Sequence, residues 1–507
     1  MRDGKICMTR RFFIGGASAF GALGAFGGLR FAPAGRQAAG GKPRLRFGVI
    51  SDVHISREGV GETITDYGND LTLRHALAWF RDQDVDAVVL AGDMADNGTV
   101  HELEIVGRAW DSVFPDSRVA RLFVYGNHDT PKWPPADRIS DDLAGAWEKA
   151  FHEAYEPIWT KEVKGYRFVG AHWTQSGCIG RNDAFNAGIG DFYAGLSGKI
   201  DPKLPFFHIQ HPHPKGTCYG DWAWGSDDGL TTRTLSRFPN AISFSGHSHY
   251  SLTDERSIWQ GAFTSVGTAS LRNVFVPRDS RPHGFENTEV TNPGDWALDA
   301  AKMLPVYRGG DCRQGMLWSV YDDRITVRRR EFLSDFDLGE DWTLPLPAAE
   351  SKPFAFAERA RRLAVPEFDP MSRMTVFALT AKTRGRTSPD GMMTIASVKK
   401  EAVEVTAPAP AKAGAARLFE IEFTAEGANG KTLVKNVVAN GYNQSREHRR
   451  AGIPTRCVFA RDELPAGKVR FSATPMNSYW GRGKTVRSNW CDLSRLKQKE
   501  TTKGKSK

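Results

Sequence analysis

The chain has 507 residues, 40% hydrophobic and 25% charged, with 68 Lys and Arg against 59 Asp and Glu for a net charge of +9. That length holds more than one ordinary domain, and the near-average composition excludes a wholly disordered, collagen-like or multiply membrane-spanning chain. A pI near 9.2 points towards nucleic acid or an anionic surface, yet residues 1–34 carry +4 and residues 496–507 another +4, leaving only +1 between them.

At the N-terminus, Thr9-Arg10-Arg11-Phe12-Phe13-Ile14 precedes an apolar run of small residues from Gly15 to Leu29. Ala32-Pro33-Ala34 then has the A-x-A form of a cleavage site. A charged start, a modest apolar stretch and a small-residue site describe a secretory signal. The Arg pair resembles the twin-arginine signal, which carries folded proteins, with Gly15 where a Lys is common. Six glycines between Gly15 and Gly28 make a poor membrane-spanning helix. Residues 1–34 are therefore expected to be an export signal read by the machinery for folded proteins, and the mature chain to be periplasmic or extracellular. Cys7 leaves with that signal, and Cys178, Cys218, Cys312, Cys457 and Cys491 remain. In an oxidising compartment Cys457 and Cys491 either pair or stay as buried thiols; with no C-x-x-C present, zinc-finger and redox motifs are excluded.

Short apolar runs at Leu45–Ile50, Val85–Leu90 and Leu122–Tyr125 read as buried strands. Between them, Leu73, Leu77 and Phe80 share one helical face, as do Leu103, Val106 and Trp110. Arg138–Tyr155 is a third helical stretch, with Leu143, Trp147 and Phe151 at i, i+4, i+8. Further strands are expected at Tyr166–Ala171, Pro205–Gln210, Ala241–Phe244 and Ala262–Val266, and a hairpin at Gln314–Tyr321 and Arg324–Arg330 around Asp322-Asp323. Alternating strands and helices argue for an α/β body over residues 42–347. The Pro-rich residues 348–366 read as a linker. Six strand-like runs from Thr375 to Thr474, with no strong helix between them, predict a C-terminal all-β sandwich of immunoglobulin or fibronectin type over residues 367–495. The Lys-rich residues 496–507 read as a disordered tail.

Five polar motifs end predicted strands: Asp52-Val53-His54; Gly92-Asp93-Met94-Ala95-Asp96; Gly126-Asn127-His128-Asp129; His211-Pro212-His213-Pro214; and Gly246-His247-Ser248-His249. Loops at the carboxyl ends of strands are where α/β sheets build sites. A mixed imidazole, carboxylate and amide set suits two divalent transition ions, with a carboxylate bridging them. Small Gly92, Gly126 and Gly246 would let the backbone turn sharply beside such ions.

In order and placement, these blocks resemble the binuclear metallophosphoesterase family, also called calcineurin-like phosphoesterases: D-x-H, G-D-x-x-D, G-N-H-D/E, a single His, then G-H-x-H. The resemblance spans roughly Arg44 to Pro347. It implies a four-layer fold of two β-sheets flanked by helices and a metal-dependent phosphatase or phosphodiesterase acting on phosphate-ester small molecules. It implies that Asp52, His54 and His249 hold one ion, that Asn127, His211 and His247 hold the other, and that Asp93 bridges them. Mn, Fe and Zn all suit this donor set. His211 is preferred to His208 and His213 because it stands at the strand end, while alternation puts His208 on the opposite face. By resemblance, a metal-bridging hydroxide attacks phosphorus and His128 contacts the phosphoryl oxygen or protonates the leaving alkoxide, with Asp129 orienting it and raising its pKa. Asp96 is expected to stand behind the ligands, and with Asp96 where purple phosphatases carry a Tyr, a purple iron centre is disfavoured.

On the substrate side, Trp222 and Trp224 in the aromatic, Gly-rich Thr217–Gly225 stretch are candidates to stack a base, sugar or aryl group. His172-Trp173 is a candidate for the same mouth, whereas Arg272-Asn273 and residues 278–292 read as a rim without assigned role. The other functional class is a surface or extracellular binding protein whose β-sandwich acts on a metallophosphoesterase scaffold; the seven intact donors argue against it. No nucleic-acid-binding module is recognisable.

Overall fold

The structure, a computed structural model, describes residues 41–56, 68, 70–115, 118–131, 136–174, 184–219, 227–275, 312–386, 395–411, 418–439 and 455–498. The expected export signal, Trp222 and Trp224, Cys178, residues 278–292 and the tail beyond 498 lie outside the described residues. The chain divides at Lys42, and the elements described below belong to the unit Pro43–Lys507.

Strands β1 (Leu45–Ile50), β2 (Ala87–Ala91) and β3 (Ala120–Val124) lie side by side and parallel. They read as unbroken apolar runs because both faces are covered. Phe47, Val49, Val89 and Leu122 enter a core between two sheets. Ile50, Val88, Leu90 and Phe123 face helices α1 (Leu71–Asp82), α2 (Val100–Val113) and α3 (Leu143–Phe151). The second sheet has the order β4 (Ile158–Val163), β5 (Tyr166–Ala171), β6 (Phe206–Ile209), β7 (Ala241–Ser245), β9 (Thr264–Gly267), β8 (Ile258–Gln260). Its strands β5, β6, β7 and β9 are parallel. Phe207, Ile209, Ile242 and Phe244 point to the shared core, while Phe206 and Ala241 face the side of α4 (Ile189–Gly195) and α5 (Leu230–Leu235).

The first sheet is completed by β10 (Gln314–Val320), antiparallel to β1, and by β11 (Arg324–Glu331), with β12 (Phe336–Asp337) and β13 (Trp342–Pro345) paired to β11. The expected hairpin pairs Val320 with Ile325. The inter-sheet core is aromatic at its centre: the Phe47 ring lies 4.9 to 5.9 Å from those of Phe168, Phe207, Phe244 and Trp318. The body is thus helix, sheet, sheet, helix, and both parallel regions present their C-terminal strand ends to the loops that carry the polar motifs.

The Pro-rich stretch expected to be a linker is packed chain. Phe354 is buried in the inter-sheet core and exchanges hydrogen bonds with Gln260, giving its N–H to Oε1 at 2.9 Å. Helix α6 (Phe356–Arg362) follows. Two further sheets then form: β14 (Thr375–Arg386), β15 (Ile395–Thr406) and β18 (Arg456–Ala460) in one, and β16 (Glu420–Gly427), β17 (Thr432–Val438), β19 (Lys468–Met476), β20 (Val486–Arg487) and β21 (Cys491–Asp492) in the other. Val403, Val405 and Phe459 from the first meet Ile421, Phe423 and Phe471 from the second in one core, so the C-terminal region is a β-sandwich. Cys457 lies in that core and Cys491 at its edge as separate thiols, so the disulfide alternative is not adopted. The sandwich seats on the body where the Arg256 guanidinium stands 5.3 Å from Phe419 and 5.7 Å from Trp480. Tyr479 donates its hydroxyl to the Glu255 carbonyl at 3.3 Å. Among the described residues, no helix is long and apolar enough to cross a membrane.

Candidate metal centre

All seven expected donors converge, four from loops of the first sheet and three from loops of the second. Asp52 follows β1, Asp93 follows β2 and Asn127 follows β3; His211 follows β6, and His247 and His249 follow β7. Asp52, His54 and His249 form one buried group and Asp93, His211 and His247 a second. His249 Nε2 stands 3.1 Å from Asp52 Oδ1 and 3.1 Å from His54 Nε2. His211 Nε2 stands 3.1 Å from Asp93 Oδ2, 3.0 Å from Asn127 Oδ1 and 3.2 Å from His247 Nδ1. Asp93 Oδ2 is also 3.7 Å from His54 Nε2, so one oxygen serves both groups.

Two donors on one ion at about 2.1 Å stand about 3.0–3.4 Å apart, which is the spacing seen here. Asp52 and Asp93 are fully buried, and their ion pairs are with these histidines. Buried carboxylates without a strong countercharge are costly, so the donor set fits a pair of cations. Without them, His211 carries the compensating charge: burial opposes it, but Asp93 and Asp52 hold its imidazole up at about 9. His54, by contrast, is pushed down to about 4 by burial.

The backbone is strained at this point. Asp52, His54, Asp93, His247 and His249 all have φ between 52° and 69°, a region that costs a non-glycine residue on the order of 1 kcal/mol or more. Such strain persists where surrounding contacts over-determine it, as when the Asp52 carboxylate accepts the His247 N–H at 3.0 Å. The three glycines differ in their reasons. Gly92 does take a left-handed φ of 89°, as a sharp turn requires, but a Cβ on Gly126 or Gly246 would instead meet the Asp93 or Asp52 carboxylate at 2.3 or 2.4 Å.

Three of the converging histidines are oriented from behind. His54 Nδ1 donates to Asp96 Oδ1 at 3.1 Å, His211 Nδ1 to the Ala91 carbonyl at 2.8 Å and His249 Nδ1 to the Asn273 carbonyl at 3.1 Å. Each bond fixes the tautomer that turns Nε2 to the centre. Asp96 itself is held down at about 2: burial opposes this, but His54 and the Arg272 guanidinium favour the carboxylate.

His128 sits at the rim, its side chain 42% exposed. Its Nδ1 donates to the Asp96 carbonyl at 2.9 Å and its N–H to Asp93 Oδ1 at 2.8 Å. Burial opposes charge on the ring, while Asp93 and the Asp96 carbonyl raise its pKa. Here the expectation for Asp129 is corrected. Its two oxygens are taken by the N–H groups of Ala95 and Gly126, at 2.8 and 2.7 Å, so it ties two loops together while Asp96 orients His128. Burial and Asp93 push Asp129 up to about 7.

The remaining candidates separate cleanly. His208 meets the Tyr193 hydroxyl and Gln210, and His213 meets Ser245 and Ser248, so both are internal hydrogen-bonding groups. His172 is buried against Tyr125 N, and the buried Trp173 packs 6.2 Å from the His211 ring; neither lines an open mouth. Ala91, Arg272 and Asn273 were not assigned from sequence. Two act through backbone carbonyls, which no residue pattern marks, and Arg272 finds Asp96 only across 176 residues.

Residues 45–251 match the family model of calcineurin-like phosphoesterases. No curated protein matches the chain. Among solved structures, a dimetal phosphatase from Danio rerio is similar at 16% identity and TM-score 0.36, over 60% of this chain and 100% of that one. The purple acid phosphatase PPD1 from yellow lupin (Lupinus luteus) seeds is similar at 13% identity and TM-score 0.37, over 59% and 54% of the two chains. Vps29 of Entamoeba histolytica, complexed with zinc, is similar at 10% and 0.27, over 59% and 99%. By class the protein is a metal-dependent phosphoric ester hydrolase. The likeness to calcineurin-like phosphoesterases lies in residues 45–251, which carry all seven converging side chains.

Proposed function

We propose that the protein is an exported hydrolase of phosphate mono- or diesters that works with two metal ions. The observation that carries this reading is the shared Asp93 oxygen between two buried donor groups. Asp52, His54 and His249 would hold one ion, Asn127, His211 and His247 the other, and Asp93 would bridge. When bound, two divalent ions supply Lewis acidity to the phosphoryl oxygens and bring a water's pKa towards neutrality. The chain's own residues do the rest. The strained loops hold the donors in place before any substrate arrives, so little reorganisation is needed during reaction. His128 keeps Nδ1 on the Asp96 carbonyl, which leaves Nε2 to meet a phosphoryl oxygen or to give a proton to the leaving alkoxide. Export through the twin-arginine route accords with a centre that is filled during folding in the cytoplasm.

Elemental analysis of the purified mature protein should find about two transition ions per chain, and a chelator should abolish activity that Mn, Zn or Fe restores. A metal-free preparation with full activity would overturn the reading. A panel of aryl monoester, aryl diester, nucleotides and glycerophosphodiesters assigns the substrate class.

A further inference from the structure

The two donor groups differ in what stands behind them. Behind Asp52, His54 and His249 stands a single loop, residues 268–275, at the C-terminal end of β9. Ser270 Oγ donates to the Asp52 carbonyl at 3.0 Å. The Asn273 carbonyl takes the His249 Nδ1 proton, the Phe275 ring stacks on His249 at 5.6 Å, and the Phe275 N–H donates to the His249 carbonyl at 2.7 Å. Arg272 pairs with the same Asp96 oxygen that receives His54 Nδ1. One loop thus grips all three members of one group.

Behind His211 stands a different device. Tyr193 OH lies 2.8 Å from His208 Nδ1, His208 Nε2 lies 2.8 Å from Gln210 Oε1, and Gln210 Nε2 donates to the Pro212 carbonyl at 2.7 Å. The amide nitrogen of Gln210 is committed as donor, so its oxygen accepts from His208, and His208 Nδ1 accepts from Tyr193. The chain of bonds runs one way, is fully buried, and ends on the residue next to His211.

We propose that the two metal sites have separate supports, with Arg272 a positioning residue for the Asp52–His54–His249 site and the Tyr193–His208–Gln210 chain the positioning device for the site containing His211. The two supports share no residue, so each tunes its own site while Asp93 remains common to both. This rests on the dinuclear reading above.

Calorimetric titration of Mn²⁺ into the metal-free full chain tests it. His249→Ala and His211→Ala identify which binding event belongs to which site. Arg272→Ala should weaken only the event lost in His249→Ala, by about 10–100-fold, the usual effect of removing such an outer partner. Arg272→Lys should recover part of it, since an ammonium still reaches the carboxylate. Tyr193→Phe, which removes one hydroxyl and keeps the ring, should weaken only the event lost in His211→Ala; near-ultraviolet dichroism checks that each variant is folded. If wild type takes two ions but Arg272→Ala and Tyr193→Phe weaken both events alike, or neither, the separate supports are refuted. If wild type takes fewer than two, the dinuclear reading falls and this inference with it.

Discussion

His128 is the least buried histidine of the centre, and its hydrogen bonds decide what it can do. A carbonyl only accepts, so the bond to the Asp96 carbonyl keeps a proton on Nδ1 and presents Nε2 outward. Replacing His128 by Ala should lower turnover by about 10²–10⁴-fold for esters with poor leaving groups, because those need a proton. Activated aryl esters should lose much less. Steady-state kinetics on a leaving-group series reads the difference; equal losses across the series would assign His128 to phosphate binding alone. The same scale shows where residue patterns mislead. Asp129 follows His128 directly in the motif, yet its carboxylate turns away to two backbone amides. Asp96, distant in sequence, takes the orienting part through its carbonyl, an atom every residue carries.

At the scale of elements, the centre depends on where strands stop and helices start. The loop after β2 carries Asp93 and Asp96 and runs straight into α2, whose first turn is closed by a capping box: Thr99 Oγ1 accepts the Glu102 N–H at 3.2 Å and Glu102 returns to the Thr99 N–H at 3.2 Å. Glu102 also accepts from the Asn97 N–H and side-chain amide, so the cap fastens the loop after β2 to the helix. Thr99→Ala should cost about 1 kcal/mol of stability, measured by urea unfolding. β1 and β5 coincide with the residues expected from their apolar runs, because both faces of these strands are buried and the signal is unbroken. Helix α6 falls in the stretch that reads as linker, because prolines punctuate that stretch while the burial of Phe354 that orders it is a tertiary contact.

At the scale of the molecule, neutral buried histidines make the fold sensitive to acid. Burial lowers His208 to about 4 and His172 to about 3, against an ordinary value of 6.5. Between those values the unfolded chain binds protons that the folded chain refuses, so the stabilisation is complete above pH 6.5 and is lost as pH falls towards 4. Each such histidine is worth on the order of 1.4 kcal/mol per pH unit across that window. His208→Gln should be less stable than wild type at pH 7.5 and should lose less stability on going to pH 5, as read from urea midpoints; parallel losses in the two proteins would show that His208 does not titrate on unfolding. The sandwich belongs to the same folded unit as the body, joined where Arg256, seven residues after His249, lies near Phe419 and Trp480.

By itself the sequence determined the strands and helices that position the centre, the strand-rich C-terminal region, and the seven side chains that the fold brings together. Each of these is written locally, in apolar runs and in polar residues set at strand ends. Tertiary structure alone decided that Asp96 and not Asp129 steadies His128, that Gly126 and Gly246 are small to make room for carboxylates, and that one loop after β9 stands behind Asp52, His54 and His249. These outcomes rest on distances between residues tens to hundreds of positions apart, and on backbone atoms that are chemically alike along the whole chain. No local pattern can encode them, and only the packing of two sheets against each other brings them into contact.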